Sequence, residues 1–485
     1  MELGRLTAGG LALAVGVSVM SGTAVVRGPA HAVLFPRELV LTGTFAAADA
    51  GWSVERDFDV VPGTSRLEIE VTGAGADAVP LDFGIRGPAG LRGWSIARDA
   101  RVHIDAMSAS TGYLPGALEP GRWQIMIGPP APPAGQGLSY EITIRLSNQA
   151  DAFRPIVRPS AGWFAGDLHV HSGHSDGYHA DSRGRQRPVG VRDLAGGAEA
   201  TRLDFLAVTD HNTASHWVDV DRTQSAFPDL LLLHGREITT ARGHFNAIGE
   251  RRFTDFRLGP LRGMPRLLAD VARDGAFVSI NHAWLVSDQW CAGCGWADRD
   301  ADTMSHVAGI EIVNGSTPEG EAVSPGWRFW SDRLNRGDHL VAVGGSDVHD
   351  PIDGRAAIGR PSTVVWAAAL SEEAIVAGLG SGRVFVRAEP APDRFVDLRA
   401  DADGTTTFMG RAMAAGPARV TARVSGAAGQ DLTWIRRGAP VASVHLRHDD
   451  ASVALPVDAV SGDWFSVIVS RNGQPTLFSN AVYVR

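Results

Sequence analysis

The chain has 485 residues, 44% hydrophobic and 20% charged. Those are ordinary globular values: they exclude a fibrous or disordered chain and leave material for roughly two to four domains. The net charge is -9, and all 45 basic residues are Arg, so there is no basic field to recruit nucleic acid, and without Lys there is neither Schiff-base chemistry nor a Lys-bearing phosphate loop.

In chain order, the first element is a leader. Arg5 gives a short positive flank, Leu11 to Met20 is an apolar run, and Ala30-His31-Ala32 fits a small-residue cleavage site. Ser21 to Ala24 offers an alternative cut. The run falls short of the ~20 residues of a membrane helix, so residues 1–32 read as a signal peptide. The mature protein is then exported, periplasmic or extracellular, with no stable membrane span; an uncleaved anchor is the alternative. From 33 to 155 short alternating runs over 66–71, 81–85, 101–104, 122–127 and 139–145 are separated by Gly/Pro turns such as 128–137. Period-two alternation at that spacing predicts a β-sandwich.

The stretch 160–392 is different. Strand-like runs over 163–170, 205–209, 230–238, 277–281, 310–313, 340–344 and 362–366 alternate with helical ones over 191–201, 264–273, 327–335 and 370–378. Ser371 is the expected N-cap of the last helix, with Glu372 and Glu373 in its first turn. Such alternation predicts parallel pairing, in a βα-barrel or a wound sheet. Residues 393–485 return to short alternating runs, over 419–424, 431–435, 443–446 and 464–469, and predict a second β-sandwich domain. The two cysteines, Cys291 and Cys294, form a C-x-x-C; in an exported chain this reads as a local disulfide, with half of a zinc knuckle as the other meaning.

Twelve of the 16 histidines fall between His169 and His349, and they sit at strand ends. The first strand ends Asp167-Leu-His169-Val-His171, the second Thr209-Asp210-His211-Asn212, and the third carries Glu237. The fourth ends Asn281-His282, the fifth holds Glu311 and Asn314, and the sixth ends Gly345-Ser-Asp347-Val-His349. His169 and His171, two apart on a strand, point to one side, as do Asp347 and His349. Imidazole and carboxylate together suit Zn, Mn or Fe, and a Glu between two ions can bridge them. Asp167 and Asp210 could orient the neighbouring imidazoles or cap strand ends. His244 could contact substrate or metal, His174 and His179 read as loop residues able to substitute as ligands, and Arg242, Arg355 and Arg360 lie in loops on the site's side.

Asp167-Leu-His-Val-His-Ser172 with Ser175-Asp-Gly177, Val208-Thr-Asp-His-Asn212 and Gly345-Ser-Asp-Val-His349 resemble the PHP (polymerase and histidinol phosphatase) metallohydrolases. Glu237, Gly243-His-Phe-Asn246, Asn281-His282 and Glu311-Ile-Val-Asn-Gly315 are more closely similar to the CehA/McbA branch. The resemblance, over about 163–390, implies an α/β fold: a distorted seven-stranded βα-barrel, here flanked by N- and C-terminal β-sandwich domains, with two or three divalent ions. By position it assigns His169, His171, Glu237 and Asp347 to a first ion, Glu237 and His282 to a second, and Asp176, His211 and His349 to a third. Where many members carry a His after the fifth strand, this chain has Glu311 and Asn314; Asp176 stands where some relatives use His.

The expected activity is hydrolysis of a small anionic ester by metal-activated water, with His244 or His282 protonating the leaving group and Arg242 among the groups that grip an anion. A phosphoesterase comes first. A carboxyl-ester or carbamate hydrolase is the alternative, for which Trp284, Trp290, Trp296 and Phe245 could line an apolar pocket. A non-catalytic exported binding protein is the third reading.

Overall fold

The structure, a computed structural model, describes residues 35–45, 53–74, 81–95, 101–105, 109–110, 112–128, 138–148, 156–250, 252–287, 291, 293–298, 301–315, 324–352 and 357–485. The expected leader at 1–32, the turn at 129–137, Trp290 and Arg355 lie outside the described residues.

The N-terminal alternation builds two four-stranded antiparallel sheets. One runs Arg37–Phe45, Leu138–Ser147, Arg66–Ala74, Arg101–Asp105; the other runs Val54–Val60, Gly121–Gly128, Asp82–Gly87, Gly90–Ser95. Because successive side chains face opposite ways, Leu67, Ile69 and Val71 share one buried face with Ile142, Ile144 and Leu146. That face forms a single apolar core with Phe83, Ile85, Trp123 and Ile125 of the second sheet.

The expected fold class does not form: the chain is not a βα-barrel flanked by β-sandwich domains. Among the described residues strands make up 48% and helices only 14%, and many of the strand pairings are antiparallel. A 15-stranded sheet runs through the middle and C-terminal parts alike. Its order begins Val341–Gly345, Gly309–Asn314, Phe277–Ile280, Gly243–Ile248, Leu231–Thr240, Phe205–Val208, Gly162–Asp167, Ser362–Ala367 and Val384–Arg387. It then continues into Gln474–Ser479, Trp464–Arg471, Asp431–Arg436 and Ala439–His445.

Two features of the chain account for the difference. Leu231–Thr240 is joined to Gly243–Ile248 by Ala241 and Arg242 alone, and a connection that short can only return antiparallel. Gly243–Ile248 therefore also meets Phe277–Ile280 antiparallel. Second, Val384–Arg387 offers its free edge to Gln474–Ser479, with Phe385 opposite Ser479 and Val386 opposite Phe478. Ala165, Val364 and Phe385 consequently share an apolar core with Val396, Leu398, Val420 and Trp434. The buried Asn480 stitches the join, donating to the carbonyls of Ala342 and Val384 and accepting from the amide of Ala342.

Among the described residues there are five α-helices. Val191–Ala200, Met264–Arg273, Pro325–Asn335 and Glu372–Ser381 match the expected ones, and Ser371 Oγ caps the last by accepting from Ala374 N at 3.3 Å. The helix Trp217–Gln224 has no counterpart in the sequence reading: it buries only Trp217 and Val220, too few positions for a 3.6-residue period to stand out. No described helix is long and apolar enough to cross a membrane.

Candidate metal centre

The ends of the Gly162–Asp167 and Val341–Gly345 strands run on side by side. His171 N donates to Val348 O at 2.9 Å and Asp347 N to His169 O at 2.8 Å, so the alternating His169, His171, Asp347 and His349 meet in one place. Asp347 and His282 hold left-handed backbone, with φ of 55° and 26°. Non-glycine residues rarely adopt it, and it costs on the order of 1–3 kcal/mol where it persists. Gly345 has to be glycine: a Cβ there would lie 2.4 Å from His169 Cβ and 2.6 Å from Glu311 Oε1.

Glu237, wholly buried, is the hub. Its Oε2 lies 2.8 Å from His211 Nδ1, 3.4 Å from His169 Nε2 and 3.6 Å from His171 Nε2. Its Oε1 lies 3.2 Å from His282 Nε2 and 3.3 Å from His244 Nδ1, and accepts from Asn281 Nδ2 at 2.9 Å. Asp347 Oδ1 is 3.1 Å from His171 Nε2 and 3.3 Å from His169 Nε2. On the outer side, Asp176 stands 3.4 Å from His349 Nε2, 3.5 Å from His211 Nε2 and 3.9 Å from His171 Nδ1.

Burial works against every charge here, and the mixture of signs overrides it. Glu237 and Asp347 are held well below the usual carboxylate range: burial would raise them, but His169 and the neighbouring imidazoles outweigh it. His169 is correspondingly well above its ordinary value, against burial, through Asp347, Glu237 and Glu311. His282 and His349 rise to about 9, against burial, on hydrogen bonds to Glu237 and Asp176 respectively. His171 falls to about 4, through burial and then the nearby His349. In the bare chain, protons on imidazole supply the positive charge that the carboxylates require, and a cation can supply it instead.

The residues fit such a cation. His169 Nε2 and His171 Nδ1 are buried with no hydrogen-bond partner, an arrangement that would be costly unless something else uses their lone pairs. Four groups of candidate ligand atoms, each within 4.8 Å, occur among the described residues: His171, Asp176, His211 and His349; His169, His171 and Glu237; His169, His282 and Asp347; and His244, His282 and Cys294. Such sets of imidazole and carboxylate could hold Zn, Mn or Fe. The carboxylates of Asp176, Glu237 and Asp347 would offset three of the four charges of two divalent ions.

The other expected residues sort by their contacts. His244 is in the cluster and buried. Arg242 is not: its side chain is 64% exposed and its guanidinium approaches Asp298 at 3.7 Å. Arg360 is exposed. His174 is tied to Asp219 and Ser215, and His179 to Asp350. Phe245 is part of the apolar core rather than a pocket wall. Asp167 does not touch the ligating rings; it accepts from the amides of His169, Ser346 and Gly359. Asp210 likewise accepts from Ser172 N, Ser172 Oγ and Ser175 Oγ. Both carboxylates shape loops.

The orienting role belongs to Glu311, whose place at a strand end marks it in the sequence only as metal-competent. Its Oε1 lies 3.1 Å from His169 Nδ1, while its Oε2 accepts from His282 N at 3.0 Å and Asn314 Nδ2 at 2.9 Å. One buried carboxylate thus aims ligand residues on two strands. Glu311→Gln is expected to weaken metal binding or activity by about 10–100-fold, as losses of outer partners do. Calorimetric titration with Mn or Zn checks it; wild-type affinity and turnover together would remove Glu311 from this role.

No family model matches the chain, and no curated protein does. Among solved structures, an amidohydrolase from Chromobacterium violaceum, with bound sulfate and no metal, is 16% identical, with a TM-score of 0.28 over 40% of this chain and 89% of that one. PliG of Aeromonas hydrophila, a periplasmic inhibitor of g-type lysozyme, is 14% identical, with a TM-score of 0.16 over 23% of this chain and 89% of that one. Likenesses that slight carry no argument about fold or chemistry. What stands on the chain's own residues is a set of buried His, Asp and Glu clusters that could bind metal.

Proposed function

We propose that the protein is an exported metal-dependent hydrolase of the PHP type, resembling the CehA/McbA branch and acting on small phosphate esters. The observation that carries the reading is Glu237: both its oxygens lie among five histidine nitrogens, with Asp347 and Asp176 on either side. His169, His171, Glu237 and Asp347 would hold one ion, Glu237 and His282 a second, and Asp176, His211 and His349 a third. Ions in such a set acidify a water toward neutral pH and offset charge on the electrophile. His244, whose Nδ1 faces Glu237, is left its other ring nitrogen to hold a proton for the leaving group. Glu311 and Asn281 keep His169 and Glu237 aimed.

A phosphate ester is favoured because divalent ions held by these residues would offset the negative charge of a phosphoryl group. The exposed Arg242 supplies no buried grip on an anion, and this one observation keeps a carboxyl-ester or carbamate hydrolase as the second reading. The absence of a basic field argues against nucleic acid. The test is turnover by Mn- or Zn-loaded protein on chromogenic phosphate monoesters, phosphate diesters and carboxyl esters, beside a chelator-treated sample. Metal-dependent hydrolysis of the phosphates alone is expected. Turnover confined to carboxyl esters would install the second reading, and metal bound without turnover on any ester would point to a binding protein.

A further inference from the structure

The loop after His282 carries a C-x-x-C whose chemistry the centre above leaves unused. Cys291 and Cys294 are joined by a disulfide, with Cα atoms 5.5 Å apart. The described residues beside it are tied down: Leu285 N donates to His282 O, Trp296 N to Ala283 O and Ala297 N to Arg242 O. Gly293 has a φ of +84°, and a Cβ on it would lie 1.8 Å from Thr240 O, so the segment presses on the turn that leads to His244. Cys294, only 4% exposed, is thereby held with its carbonyl 3.1 Å from His282 Nδ1. Its sulfur, a nitrogen of His244 and a nitrogen of His282 all lie within 4.8 Å of one another.

We propose that Cys294 is a metal ligand masked by the disulfide, and that reduction completes a sulfur-containing site with His244 and His282 for a borderline-soft ion such as zinc. The proposal rests on the metal reading above. A disulfide sulfur has no proton to lose and is a poor donor; the thiolate is the ligand. A dithiol reductant supplies two electrons and two protons: the Cys291–Cys294 bond breaks, both become thiols, and the dithiol closes to its own disulfide. As the sulfur–metal bond forms, the proton of Cys294 goes to solvent. Two imidazoles and one thiolate favour zinc or copper over manganese, whereas the sulfur-free groups around Glu237, each of imidazoles with one carboxylate, do not discriminate in this way. The oxidation state of the loop would therefore set which ion the inner end of the centre prefers.

Cobalt(II) reports a thiolate ligand by a sulfur-to-metal charge-transfer band in the near ultraviolet, independently of activity. The full chain is titrated with cobalt(II) as oxidised protein and again after reduction by a dithiol, which is removed anaerobically. The band is expected in the reduced protein, absent from the oxidised protein and absent from reduced Cys294→Ser. In Cys291→Ser, which leaves Cys294 free, it is expected without any reductant. Cobalt bound by the reduced protein without the band would overturn the proposal and leave the metal reading standing, as would a band that survives in Cys294→Ser. Failure to bind cobalt in either state would overturn both.

Discussion

Glu237→Gln is expected to empty the centre of metal and to lower ester hydrolysis on the order of 10³-fold or more, with the chain still folded. The size follows from the several kcal/mol that metal ions contribute to charge stabilisation, at about 1.4 kcal/mol per tenfold in rate. Gln keeps the volume of Glu, but its amide carries no charge and would turn an NH2 toward nitrogens of His169, His171 and His211 or of His244 and His282. The fold should survive for a reason particular to this cluster. The groups left without a counter-charge are imidazoles, which can shed their protons and stay buried as neutral rings. His171→Ala and Asp347→Ala should behave in the same way. Metal per chain by elemental analysis, turnover and far-ultraviolet circular dichroism together check this; near-native turnover in any of the three would refute the site assignment.

Glu250→Gln is expected to cost about 3–5 kcal/mol of stability, the usual penalty for removing one partner of a buried ion pair. Arg236 is next to Glu237 in the same strand, so its side chain goes to the opposite face. There it is fully buried, 2.7 Å from Glu250 through Nε and 4.5 Å from the Phe253 ring. A guanidinium cannot deprotonate to escape burial as an imidazole can. Burial already pushes the Glu250 carboxyl up despite Arg236, which marks the pair as costly to desolvate. Replacing both partners, as Arg236→Met with Glu250→Leu, should therefore recover most of the loss. Urea unfolding of the two variants decides it: a single variant within 1 kcal/mol of wild type would mean that water reaches the guanidinium.

Much of the candidate site is legible because its residues are local in pattern. His169 and His171, or Asp347 and His349, declare a shared side by their spacing, and a polar residue ending an apolar run declares an exposed or functional strand end. What the pattern hides are partners far away in the chain. Glu311 orients His169 across 142 positions, and nothing near either residue announces it. Asp167 and Asp210 sit beside histidines in the sequence but spend their oxygens on loop amides and hydroxyls. Arg242 lies next to the site in sequence, yet its guanidinium turns to Asp298.

The sequence by itself determined where four of the helices and many of the strands lie, and which strand ends bear ligand-type side chains, because these follow from periods of two and 3.6 residues and from side-chain chemistry. Only the tertiary structure decided how the strands join. Every strand edge offers the same row of N–H and C=O groups, so hydropathy cannot say that Val384–Arg387 takes Gln474–Ser479 as its neighbour, or that Gly243–Ile248 folds back on Leu231–Thr240. Those choices turned an expected barrel and separate sandwich into a shared sheet. They also set Glu237 among five histidines, since a carboxylate and an imidazole meet only when the strands carrying them share a register.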